Sequence, residues 1–137
     1  MKSTASAVWK GSLKEGTGNL SAGSNFFTKL PYTYNSRFGN GAGGTNPEEL
    51  IAAAHAGCYS MALSAELGKD GITPDSVETS STVTLENGVI KASHLVVKAK
   101  VPGISKEAFE KYATDTKLSC PVSRALNLEI HLEAILV

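Results

Sequence analysis

The sequence predicts an α+β domain: antiparallel strands, one long apolar helix and shorter helices toward the C-terminus. Three observations predict it. Two alternating segments flank Asn87-Gly88, a strong hairpin signal. Residues 47–67 read as a helix whose middle is small and apolar nearly all round. A closing segment, 128–136, alternates again with a period of two.

In chain order, residues 3–10 place Ala5, Ala7 and Trp9 on one side and Thr4, Ser6 and Lys10 on the other, a half-buried strand. Residues 18–21 and 25–34 read as further extended segments, with Pro31 at an edge. Residues 35–46 are glycine-rich and predict a loop with no regular element; loops this long in compact domains are functional or mobile. Asn46-Pro47-Glu48-Glu49 then starts a helix, with Asn as N-cap, Pro at the first helical position and Glu three residues in. Gly68 reads as its stop. The small run from Ala52 to Cys58 predicts a buried helix that lets another backbone come close, with Gly57 serving packing or access. Residues 77–86 and 91–101 read as strands, the second turning Leu95, Val97, Ala99 and Val101 to one face. Ser105 opens a helix through Tyr112 or beyond, and Cys120-Pro121 opens a short one.

With 137 residues, one domain over 1–137 is expected. Lys plus Arg number 13 and Asp plus Glu 13, so the net charge is zero and no basic surplus exists for nucleic acid. No apolar stretch approaches the ~20 residues of a membrane span, and no secretory signal is visible at the N-terminus. A cytoplasmic protein is expected, with no nucleic-acid or membrane partner.

Gly39-Asn40-Gly41-Ala42-Gly43-Gly44 matches the dinucleotide fingerprint in spelling. The helix begins after all its glycines and no parallel βαβ unit surrounds it, so the nucleotide reading is rejected. His55 and Cys58 share a helix face at i and i+3, but a zinc site lacks further ligands at suitable spacing. No metal or cofactor is expected. A Cys–His dyad lacks a marked third group to orient the imidazole, so His55 is expected to be a packed polar residue of a buried helix. Cys58 and Cys120 are too few for a disulfide scaffold and too far apart for a CxxC pair. Cys120 precedes Pro121 at a helix start, where unpaired N–H groups favour thiolate. Cys58 would need a cation, and Arg37, in the loop before its helix, is the candidate. These residues leave two readings open, redox-active thiols or two inert core cysteines.

The blocks Asn35-Ser36-Arg37-Phe38, Thr45-Asn46-Pro47-Glu48-Glu49-Leu50, Ala53-Ala54-His55-Ala56-Gly57-Cys58-Tyr59-Ser60-Met61-Ala62-Leu63 and Ser119-Cys120-Pro121-Val122-Ser123 resemble the OsmC branch of the OsmC/Ohr peroxidases. Trp9-Lys10-Gly11 and the closing strand fit as well, so the resemblance runs along essentially the whole chain. Gly57 departs from it, since such sequences usually carry Ala there. The resemblance implies antiparallel sheets packed around a long buried central helix in an intertwined homodimer. It implies a thiol-dependent peroxidase reducing organic hydroperoxides, and hydrogen peroxide too, in oxidative and osmotic stress defence. Cys58 would be the peroxidatic thiolate, Cys120 the resolving cysteine, and Arg37 with Glu48 the polar pair that activates Cys58. A dithiol reductant, of the lipoyl-linked kind, would reopen the Cys58–Cys120 disulfide. The alternatives are a non-catalytic small-ligand-binding domain with inert thiols, and a Cys–His hydrolase using His55.

Helix geometry adds an expectation about assembly. Glu48 and Cys58 lie ten residues apart on one predicted helix, a rise of about 15 Å and about 80° of rotation. A Glu48 that holds the arginine serving Cys58 is therefore expected to come from a second copy, each site of an obligate homodimer being built from both chains.

Overall fold

The computed structural model describes all residues, 1–137. The chain forms two compact units, Met1–Leu50 and Ile51–Val137.

The N-terminal unit holds a three-stranded antiparallel sheet in the order β1 (Ala5–Lys10), β2 (Thr17–Ala22), β3 (Leu30–Thr33). Pro31 does sit on an edge strand, where its missing N–H costs no ladder bond. The Trp9 and Tyr32 rings lie 5.4 Å apart across β2. Gly18 makes room for them, because a Cβ there would stand 2.5 Å from Tyr32 and 2.6 Å from Trp9.

The expected structureless loop is corrected at its start: α1 (Tyr34–Phe38) is a short helix. Its cause is a capping box in which Thr33 accepts from the Ser36 N–H and Ser36 accepts from the Thr33 N–H. Serine does here what Glu or Gln usually does, so the signal is easily missed. The glycine-rich remainder then leads to α2 (Pro47–Lys69). Asn46 caps α2 as expected, its Oδ1 accepting from the Glu49 N–H at 2.8 Å. Gly68 lies within the last turn rather than ending it; the chain turns away at Gly71.

In the C-terminal unit, β4 (Ser76–Glu86), β5 (Val89–Lys100) and β6 (Glu129–Leu136) form a second sheet with β5 central. Asn87 (φ 50°) and Gly88 (φ 77°) make the β4–β5 turn, two left-handed residues as a type I′ hairpin requires. The expectation of antiparallel strands is corrected at β6, which runs parallel to β5. Alternation marks which face a strand buries and is silent on its direction. The connection through α3 (Lys106–Ser119) and α4 (Pro121–Ala125) is long enough for a parallel crossover. Ser105 caps α3 by accepting from the Ala108 N–H.

One stripe of α2, His55, Tyr59, Leu63 and Leu67, is fully buried at a spacing of four residues. Tyr59, Leu63 and Leu67 join Leu95, Val97 and Ala99 of β5 and Phe109 of α3 in the core. Its opposite side, Ala53, Ala54, Gly57, Met61 and Ala65, is exposed in the single chain. No helix is long and apolar enough to cross a membrane.

Candidate functional site

The four sequence-predicted site residues fall into two pairs. In the C-terminal unit, Cys58 lies on α2, half-buried, and Cys120 is fully buried between α3 and α4. Their sulfurs are 3.3 Å apart, with Cys120 Sγ donating toward Cys58 Sγ. That exceeds the ~2.05 Å of a disulfide, so both are thiols, one short movement from bonding. Two buried hydrogen bonds hold the framework. The Cys120 N–H donates to the Thr116 carbonyl at 2.8 Å, and the Tyr59 hydroxyl donates to the Ala113 carbonyl at 2.8 Å.

Cys120 is the N-cap of α4, as its position before Pro121 predicts, but its side chain makes no capping bond. The Val122 N–H at that helix start acts on Cys58 instead, favouring its thiolate. This donor escapes sequence reasoning because it is backbone. Burial pushes the Cys58 thiol above its ordinary pKa, and the neighbouring Cys120 adds to the rise, outweighing Val122. Burial also pushes the Tyr59 phenol up, with the Cys120 charge reinforcing it.

In the N-terminal unit, Arg37 of α1 and Glu48 of α2 form a forked ion pair. Nε donates to both carboxylate oxygens at 3.2 Å, and Nη2 donates to Oε1 at 2.7 Å. Ser36 fixes the approach of the two helices: its hydroxyl donates to the Thr45 carbonyl at 2.7 Å, and its carbonyl accepts from Asn46 Nδ2 at 3.1 Å. Burial alone would raise the Glu48 carboxyl, but the Arg37 hydrogen bond, a backbone N–H and the Arg37 charge hold it below the usual value. Glu48 thus occupies two of the five guanidinium N–H groups and leaves three for other acceptors. Beside the guanidinium is a mostly apolar cavity of about 250 Å³ lined by Trp9, Tyr32, Tyr34, Phe38 and Pro47.

His55 proves to be a packed polar residue, as expected. Its Nδ1 lies 2.7 Å from Ser93 Oγ and its Nε2 2.8 Å from Ser123 Oγ. Neither nitrogen is left to take a proton from Cys58, so the Cys–His hydrolase reading lapses. The chain holds no group of three or more His, Cys, Asp or Glu side chains placed to bind a metal.

An α+β fold that brings a helix-borne thiol against a second, buried thiol defines a dithiol protein. Residues 39–134 match the family model described as OsmC-like protein. The chain is 43% identical over 133 residues to peroxiredoxin OsmC of Escherichia coli K12, covering 93% of this chain and 91% of that one. It is 35% identical over 100 residues to organic hydroperoxide resistance protein-like 1 of Staphylococcus saprophyticus, covering 69% and 71%. The chain belongs to the OsmC family. Its fold matches an OsmC-like protein from Mycoplasma pneumoniae with a TM-score of 0.77 at 16% identity, covering 100% and 98%. It matches the organic hydroperoxide resistance protein OhrB of Bacillus subtilis with a TM-score of 0.69 at 22% identity, covering 98% of each. Those two likenesses speak to the fold alone.

Proposed function

We propose that this protein is a thiol-dependent peroxidase that reduces organic hydroperoxides, and hydrogen peroxide as well, in stress defence. The observation that carries the reading is the pair of free sulfurs 3.3 Å apart. The Cys58 thiolate attacks the terminal peroxide oxygen, the O–O bond breaks, and the alcohol leaves after taking a proton. Cys58 is left as sulfenic acid. The Cys120 sulfur then attacks it, water departs, and a Cys58–Cys120 disulfide forms before a second peroxide can over-oxidise Cys58. An external dithiol, of the lipoyl-linked kind that the family resemblance implies, reopens the disulfide by exchange.

Attack needs thiolate, yet the Cys58 surroundings in its own unit raise its pKa. In this reading the Arg37 guanidinium supplies the missing stabilisation, its free N–H groups meeting the thiolate and the developing alkoxide. Glu48 keeps the fork oriented. The ten-residue rise between Glu48 and Cys58 along α2, about 15 Å, supports an arrangement in which Arg37 and Glu48 serve the Cys58 of a second copy. The exposed small-residue side of α2 supports it too, since a surface of Ala53, Ala54, Gly57 and Ala65 permits close helix approach. The aromatic cavity beside Arg37 suits an organic tail.

Turnover tests the reading. Purified protein with a dithiol should consume cumene hydroperoxide catalytically and faster than hydrogen peroxide; no consumption would return the thiols to the inert class. Refolding a Cys58→Ser chain together with a Glu48→Ala chain should recover activity in heterodimers with one intact site. No recovery in verified heterodimers would sink the shared site.

A further inference from the structure

The proposed chemistry makes no use of a fully buried polar side chain beside it. His55 is fully buried and heads the core stripe that continues as Tyr59, Leu63 and Leu67. It lies between Ser93 of β5 and Ser123 of α4, and Ser93 Oγ is in turn 3.0 Å from Ser81 Oγ of β4. A neutral imidazole carries one donor and one acceptor, and a serine hydroxyl serves as either, so both contacts are satisfied without charge. Burial lowers the His55 pKa and keeps it in that form.

The spacing gives this network its meaning. His55 is three residues before Cys58 on α2, and Ser123 is three residues after Cys120 on α4. The imidazole–hydroxyl contact and the sulfur–sulfur contact are therefore two rungs between the same two helices, one turn apart on each. α4 has only five residues and no side-chain cap, so its own helical stability is negligible and its seat depends on tertiary contacts.

We infer that His55, acting through Ser123, is a positioning residue for disulfide formation: it seats α4 on α2 so that Cys120 stands against Cys58 when Cys58 carries a sulfenic acid. Ser93 pins the far side of the ring. The inference rests on the peroxidase reading. In the step concerned, the Cys120 thiol gives its electron pair to the sulfenic sulfur of Cys58, the S–O bond breaks, and the hydroxyl leaves as water with the thiol proton. The competing fate is a second hydroperoxide that takes Cys58 to sulfinic acid. A looser α4 lowers the effective concentration of Cys120 and favours that fate.

The test measures how one sulfenic acid divides between two outcomes, a ratio independent of how fast it forms. Reduced protein receives one equivalent of cumene hydroperoxide with a fixed concentration of dimedone, and intact mass gives the share as disulfide and as dimedone adduct. Ser123→Ala should raise the adduct-to-disulfide ratio about fivefold, the factor carried by one ordinary buried hydrogen bond. Ser93→Ala should raise it by less, because the Ser123 rung persists. Leu67→Ala, a core truncation two and a half turns beyond Cys58, should weaken the fold without moving the ratio. An unchanged ratio in both serine variants, or an equal rise in Leu67→Ala, would overturn the clamp. Wild-type protein that forms neither product would refute the peroxidase reading itself.

Discussion

Removing either partner of the Arg37–Glu48 pair should have unequal consequences, and the inequality follows from burial. The Glu48 side chain is 10% exposed and that of Arg37 34%. Glu48→Gln leaves a guanidinium that water already reaches, and the amide oxygen still accepts one hydrogen bond. Its cost should stay near the ~1 kcal/mol of a partly exposed pair. Arg37→Met removes the guanidinium, which also stacks over the Phe38 ring at 5.0 Å, and strands a carboxylate largely out of water. That carboxylate can escape by taking a proton. From its ordinary value of 4.5 to pH 7 is two and a half units at 1.36 kcal/mol each, so the penalty has a ceiling of about 3.4 kcal/mol. A cost of about 2–3 kcal/mol is expected. The pH dependence should also change sign. In the wild type the Glu48 pKa is lowered on folding, so its contribution is complete above 4.5 and is lost as pH falls through the folded value. Without Arg37, burial dominates and the folded pKa rises above 4.5, so Arg37→Met should regain stability relative to wild type as pH falls toward 5. Urea unfolding between pH 5 and 8 reads both effects. Equal costs with parallel pH profiles would mean that burial of Glu48 does not set the difference.

Cys58→Ser should abolish turnover, whereas Cys120→Ser should reduce one hydroperoxide per chain and strand Cys58 as a dimedone-reactive sulfenic acid; normal turnover by the Cys120 variant with a dithiol would remove its resolving role. Arg37→Lys keeps the charge but loses the fork, and kcat/KM should fall by about two orders of magnitude, the scale of losing a preorganised donor. Within one chain an added Cβ at Gly57 meets nothing within 4 Å and alanine is the better helix former by about 1 kcal/mol. If a second copy packs closely on this face, as the shared site requires, Gly57→Ala should fall short of that gain in urea or lose stability; the full gain would count against close helix approach at Gly57. His55 is held neutral by burial, its folded pKa lying below its unfolded value of 6.5. The unfolded chain therefore takes up that proton first, and stability should decline as pH falls below 6.5, approaching about 1.36 kcal/mol per unit; a flat profile from pH 7.5 to 5.5 would contradict it.

Local chemistry made most of the fold legible. Asn87-Gly88 marked the hairpin, Asn46-Pro47 and Ser105 marked two helix starts, and alternation in β5 marked its buried face. What stayed hidden is what local chemistry does not encode. The direction of β6 is a property of the crossover, and α1 rests on a serine acting where a carboxylate or amide is usual. The expectation that Gly57 serves close packing has no support within the chain, because nothing lies near its Cβ. At the site, residues alone left the thiols ambiguous, since Cys58 and Cys120 are separated by 62 positions and only the fold sets them side by side. The motif resemblance made them candidates, together with Arg37 and Glu48. Ser93 did leave a signal, as a hydroxyl in the inward register of Leu95, Val97 and Ala99, which demanded a buried partner. Ser123 and the Val122 N–H left none.

If Cys58 and Cys120 are a working redox pair, one oxidation must consume both thiols, and a thiol count reads that out. Fully reduced protein is treated with one equivalent of an alkyl hydroperoxide, quenched with an alkylating agent and weighed intact. Both thiols should disappear together, with the mass falling by two hydrogens and returning when a dithiol is added. Two alkylatable thiols surviving with the hydroperoxide unconsumed would contradict it.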